Sequence, residues 1–187
     1  MLSPLALLAG CSDDSEPPLQ TDMSPLRFDY LKPLRLNVAS IDIEDRAPPV
    51  QQAPSPTSPA QALRQMAEDR LSAGGGSGRA VFVIDQATII PASGGLDGVL
   101  AVHLDVLTGE GRRAGFAEAR VARRATGREA RGGDAAYRLL RQMMADMNVE
   151  LEYQVGHSLH DWLQVTSEAA PAPASVQQQD LGTPRRP

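Results

Sequence analysis

Three stretches of strand-like sequence separated by short turns constrain this chain more than anything else in it. Ala80-Val81-Phe82-Val83-Ile84 is a near-continuous apolar run, extended by Ala87-Thr88-Ile89-Ile90. Leu100, Val102, Leu104 and Val106 alternate with Ala101, His103, Asp105 and Leu107, and Gly115, Ala117, Ala119 and Val121 alternate with Phe116, Glu118, Arg120 and Ala122. Period-2 alternation marks strands with one buried face. The turns between them, Pro91 to Gly98 and Thr108-Gly109-Glu110-Gly111, are too short for crossovers, so an antiparallel meander is expected. A three-stranded meander cannot cover its own apolar face, so helices must do so.

Two helical stripes are available for that task. Ser58-Pro59-Ala60-Gln61 reads as a capping serine, a proline at the first helical position and a glutamine three residues after the cap. Leu63, Met66, Ala67, Arg70 and Leu71 follow at helical spacing, and Gly74-Gly75-Gly76-Ser77-Gly78 stops the helix as a C-cap and loop. The second stripe, Leu140, Met143, Met144, Met147, Leu151, Val155, Leu159 and Trp162, begins after a capping Asp134. Unbroken to Leu163, that helix would be about 45 Å long, with Gly156 a place to bend. A further strand precedes the first helix: Leu34-Arg35-Leu36-Asn37-Val38 alternates, and Ile41-Asp42-Ile43-Glu44 resumes one residue out of phase, which suggests a bulge at Ala39-Ser40. The expected fold class is α+β: a two-layer sandwich, with a four-stranded, mainly antiparallel sheet carrying two helices on one face in the order β-α-β-β-β-α. Its core is expected to pack Leu36, Val38, Val81, Val83, Leu100, Val102 and Leu104 against Leu63, Met66, Leu140, Met144, Met147 and Leu151.

The chain has 187 residues, so one domain plus flanking segments accounts for it. The ordered domain is expected over 34–164, interrupted by a Pro-rich loop at 47–59. Residues 11–33, acidic at Ser12-Asp13-Asp14-Ser15-Glu16 and rich in proline, read as a tether, and 165–187, without periodicity, as a disordered tail. Aromatic residues make up 4% of the chain and the net charge is −5, which disfavours base stacking and nucleic-acid binding. A single cysteine excludes a disulfide framework and multi-cysteine metal sites. No motif calls for a cofactor.

That cysteine follows the apolar run Leu5-Ala6-Leu7-Leu8-Ala9-Gly10, too short to span a bilayer, which reads as the end of a signal peptide over 1–10. No basic residue precedes the run, so the translation start is expected upstream of Met1. Leu8-Ala9-Gly10-Cys11 resembles the lipobox of bacterial lipoproteins. The resemblance implies cleavage before Cys11, acylation of its thiol, and attachment to a membrane facing the periplasm. Ser12 in place of an aspartate favours the outer membrane over the inner in that family. The order of elements over 34–164 also resembles the lipopolysaccharide-assembly lipoprotein family of the outer-membrane translocon. That resemblance implies a non-enzymatic accessory subunit in envelope assembly or in lipid or lipopolysaccharide transport, with a barrel or transporter as its protein partner.

Between residues 112 and 131 seven arginines stand against two glutamates, a reversal of the chain's overall sign. Arg120 and Arg124 fall on the face of Phe116, with Arg123 opposite. Forked guanidinium groups suit phosphates and carboxylates, so these three are the candidate contacts with lipid phosphates or a partner protein. A charged edge strand that resists aggregation is the plainer reading. His157, His160 and Asp161 have spacing that suits a metal, giving an alternative as a small periplasmic enzyme or metal binder, although a solvated helix face explains them as well. Met66, Met143, Met144 and Met147 suit either ordinary core or the wall of a lipid carrier's cavity.

Overall fold

The computed structural model describes residues 23–164. The expected signal peptide, Cys11, the first half of the tether and the tail from 165 on lie outside them. Among the described residues the elements are β1 (Leu34–Leu36), β2 (Ser40–Asp45), α1 (Pro59–Arg70), β3 (Leu71–Ala73), β4 (Arg79–Ala92), β5 (Gly95–Leu107), β6 (Arg113–Thr126) and α2 (Ala135–Ser158), closed by a 3₁₀ turn at His160–Trp162. The protein is an α+β two-layer sandwich, with the main sheet ordered β2-β4-β5-β6 and both helices on one face.

The sheet is mixed. β2 runs parallel to β4 with Ser40 opposite Arg79, which makes α1 a crossover, while β4, β5 and β6 form the expected antiparallel meander. β1 and β3 make a second, two-stranded parallel sheet that continues the first pairing backwards. Both sides of the parallel pairing break at the same level. In place of one strand bulged at Ala39-Ser40, a gap of three residues separates β1 and β2, which belong to different sheets, and the glycine run separates β3 from β4. Gly74 and Gly75 donate to the carbonyls of Leu36 and Val38, and Ala39 donates to that of Gly78. A Cβ at Gly75 would collide with the Asn37 backbone. The glycine run is therefore a close-contact seam between parallel strands. It is not the cap of α1, which ends at Arg70 and passes directly into β3.

The capping box at the start of α1 forms as expected: Gln61 N donates to Ser58 Oγ and Ser58 N to Gln61 Oε1, each at 3.2 Å. Asp134 occupies the N-cap position of α2 but makes no capping hydrogen bond, pairing with Arg138 instead. α2 ends at Ser158, short of the expected Leu163, and Leu159 packs back onto the core from the turn that follows.

Bulk is shared unequally between the layers. Under α1 the sheet supplies Phe82 and Ile84 and the helix answers partly with Ala62 and Ala67. Under α2 and the turn that follows it, β6 and the start of β5 are trimmed to Gly98, Gly115, Ala117 and Ala119, and the helix supplies Leu140, Met143, Met144, Met147 and Leu151. A Cβ at Gly98 would collide with Met143. The four methionines are fully buried, as core residues. Val81 and Val83 are not part of the core expected for them. The register puts Val81 opposite Asp105 and Val83 opposite His103, on the face away from the helices, while Ala80, Phe82 and Ile84 point inward. An uninterrupted apolar run carries no phase, so alternation could not decide which side faced in.

Residues 23–33, expected within the tether, pack on the helix layer. Tyr137 Oη donates to the carbonyl of Ser24 at the first turn of α2, Phe28 is buried, and Phe28 N donates to Asp69 Oδ2 at 2.8 Å. Further along, Arg70 donates to the carbonyl of Lys32. The segment forms a strap along α2, and its apolar residues Leu26, Phe28 and Leu31 hold it there.

Candidate functional site

β6 is an edge strand whose side chains divide cleanly. Gly115, Ala117, Ala119 and Val121 face α2, whereas Phe116, Glu118, Arg120, Ala122 and Arg124 face the open side of the sheet. Arg120 and Arg124 share a face with Phe116, and Arg123 lies opposite, as the alternation predicts. At about 3.4 Å per residue the two open-face arginines sit roughly 14 Å apart along the strand, so the three candidate arginines do not converge on one point.

Each arginine has its own anchor. Arg123 Nε donates to Asp146 Oδ2 of α2 at 2.5 Å, which fastens the edge strand to the helix layer. That hydrogen bond, and then the charge of the same carboxylate, raises the pKa of Arg123 above its already high ordinary value. Arg124 lies 3.4 Å from Asp97 Oδ1 and donates to the carbonyl of Ser93 at 2.8 Å. Arg120 donates to Gln86 Oε1 at 3.2 Å, and among the described residues it has no carboxylate partner. A guanidinium has five N–H donors, so a single bond to a neutral amide leaves most of Arg120's capacity and all of its charge on the open face.

The same face carries a cluster that sequence reasoning missed. A bulge in β4 between Ile84 and Gln86 leaves Asp85 without a register partner, and its carboxylate meets His103 Nδ1 at 2.6 Å. When the imidazole is neutral its proton must sit on Nδ1, because a carboxylate only accepts. Asp105 lies 3.7 Å from His103 Nε2 and accepts from Arg113 at 3.2 Å. Arg113 also lies over the Phe116 ring at 5.0 Å, and the His103 ring is 5.6 Å from that of Phe116. Beneath these side chains Val83 and Ala101 are buried although no helix covers this face. The clue in the sequence was the shared parity of His103 and Asp105 facing Phe116; the bulge that brings in Asp85 had no such sign. Phe116 itself remains 40% exposed.

The remaining candidates lie elsewhere. His157 stacks on Tyr153 with ring centres 6.0 Å apart on the outer face of α2. His160 and Asp161 form an exposed pair in the turn that follows, at 3.2 Å. Among the described residues no group of three or more His, Cys, Asp or Glu side chains is placed to hold a metal ion. Cys11 lies outside the described residues. No helix among them is long and apolar enough to cross a membrane.

The chain matches no protein-family model and no curated protein closely enough to count as a relative.

Proposed function

We propose that the protein is a non-enzymatic lipoprotein held by acyl chains on Cys11 to the periplasmic face of the outer membrane. In this reading it is an accessory subunit in envelope assembly or in lipid or lipopolysaccharide transport. The observation that carries the reading is the sequence Leu8-Ala9-Gly10-Cys11 at the end of an apolar run, followed by an acidic, proline-containing stretch. One acyl chain binds a membrane marginally, and two or more hold it stably, so the anchor needs no membrane-crossing helix. The strap supports the reading by bounding the tether. With Ser24 fixed at α2, only 12 residues separate Cys11 from that anchor point, a reach of at most about 47 Å. The domain would thus stay close to the headgroups and to any partner embedded among them.

Arg120, with its unneutralised charge, is the strongest of the three candidate contacts for a partner's carboxylates or a lipid phosphate, and Arg124 stands beside it on the same face. Arg123 is committed to Asp146 and serves the fold. The experiment is mass spectrometry of the mature N-terminus after expression in a Gram-negative host. Acyl chains on Cys11, and their loss with release of the protein from membranes in Cys11→Ser, are the expected result. A mature chain that keeps residues 1–10 without acylation overturns the reading.

A further inference from the structure

The main sheet ends in two edge strands that differ in length and charge: β2, with six residues, carries Asp42, Glu44 and Asp45, and β6, with 14, carries four arginines against Glu118. β2 covers the first six residues of β4, and beyond the bulge the Pro-rich loop takes over. Gln52 Nε2 donates to the carbonyl of Ala87 and Gln52 Oε1 accepts from Ile89 N, each at 2.7 Å, while Ala53 N donates to the carbonyl of Ile89 at 2.8 Å. A side-chain amide and a stretch of loop thus stand in for the missing strand. β6 has 14 residues and no neighbour on its outer side among the described residues.

An unpaired edge invites another strand, and natural proteins usually obstruct it. The arginines of β6 do so poorly as steric shields. Arg113, Arg120 and Arg124 reach back across the open face to Asp105, Gln86 and Asp97, and Arg123 reaches to α2. None of these four contacts lies beyond the edge. Their charges still select. A second copy of β6 would set a net charge of +3 (four arginines against Glu118) against itself, whereas an acidic strand would set carboxylates against it. Directly opposed opposite charges favour pairing and like charges oppose it.

We propose that β6 is a strand-addition site, which takes an extended acidic segment of a partner protein as a fifth strand of the sheet. Backbone hydrogen bonds along the edge would supply affinity and alternate side chains specificity, as in other strand-addition complexes. The fitting segment carries acidic residues four apart, opposite Arg120 and Arg124, and an apolar residue four positions further along, against Phe116. This rests on the accessory-subunit reading in that it needs a partner protein, and it does not need the acyl anchor.

The test uses the full chain with Cys11→Ser and a synthetic ten-residue peptide of alternating threonine and valine with two glutamates four apart. The expected result is saturable binding by fluorescence anisotropy, with amide shifts along β6 and none along β2. The same peptide with lysines should bind at least about tenfold more weakly. In Arg120→Glu with Arg124→Glu the preference should invert toward the lysine peptide, a gain that misfolding cannot produce. Equal binding by a glutamate peptide N-methylated at alternate amides, on either edge, would show charge attraction without strand pairing and overturn the proposal. So would the absence of binding. Binding that appears only after removal of residues 1–22 or 165–187 would assign the edge to the chain's own termini and overturn it as well. Because the probe protein lacks the acylated thiol, failure of the anchor and failure of the strand site are read separately.

Discussion

Along the β2 side of the sheet nearly every stretch of β4 has a neighbour: a parallel strand first, then the Gln52 amide, then the backbone of Ala53. Along the β6 side 14 residues run with none among those described. The two sides also differ in what fixes them to the helix layer. The first is held by bulky strand residues under a short, well-capped helix, and the second by a long helix pressed onto glycine and alanine, with Arg123 and Asp146 as a rivet. On the β2 side that edge is short, acidic and prolonged by a proline-rich loop. Against it the plain edge of β6 reads as a surface left for use.

Both halves depend on the helix layer acting as one piece, and the largest expected effect lies there. Arg70, at the end of α1, is fully buried and donates to the Lys32 carbonyl, to Asn148 Oδ1 at 2.8 Å and to Glu152 Oε2 at 2.7 Å. It ties α1, the strap and α2 together. In Arg70→Ala, Glu152 can turn to water because it is 55% exposed, but the Asn148 and Lys32 oxygens lose a donor and a cavity opens. Unfolding in urea should show a loss of about 3–4 kcal/mol. A loss below about 1 kcal/mol would mean the two halves hold without the tie.

Gln52→Leu tests the looped half of the β2 side directly. It removes two hydrogen bonds and leaves the Ile89 amide and Ala87 carbonyl without their partner, at a cost of about 1–3 kcal/mol. It also unblocks the far half of β4, so concentration-dependent aggregation should rise in light scattering. An unaggregated variant of unchanged stability would show that the loop shields nothing. Ser58→Ala, which breaks the capping box next to that loop, should cost about 1 kcal/mol by the same urea measurement and leave aggregation unchanged.

Much of this arrangement was legible before the structure. The capping box, the meander and the opposite faces of Arg123 and Arg124 all follow from spacing, because alternation and capping are local. What escaped needed contacts distant in sequence. Arg70 fell in the helical stripe, yet nothing local revealed that Lys32, Asn148 and Glu152 would satisfy it. The strap looked like tether because Leu26, Phe28 and Leu31 show no regular period. Val81 and Val83 were placed on the wrong face because five apolar residues in a row have no phase, and the Asp85 bulge that joins His103 to a carboxylate leaves no mark on composition. Gln52 replaces a strand with one side chain, which no pattern of hydrophobicity encodes.

The smallest expected effect on stability bears hardest on the β6 edge. Arg120 and Arg124 are exposed, and their partners are a neutral amide, a carbonyl and a carboxylate at 3.4 Å. Surface contacts of this kind contribute little, so Arg120→Ala with Arg124→Ala should shift the unfolding free energy by no more than about 0.5 kcal/mol per residue. The consequence should appear in association instead. With these two arginines gone β6 falls from a net charge of +3 to +1, two copies repel less, and Phe116, 40% exposed, sits on the strand to be buried between them. Sedimentation of the double variant should therefore show dimer at concentrations where the parent is monomeric, and high salt should move the parent in the same direction by screening its arginines. A double variant that stays monomeric with its stability intact would mean that the backbone edge of β6 is already covered, and the contrast between the two edges would disappear.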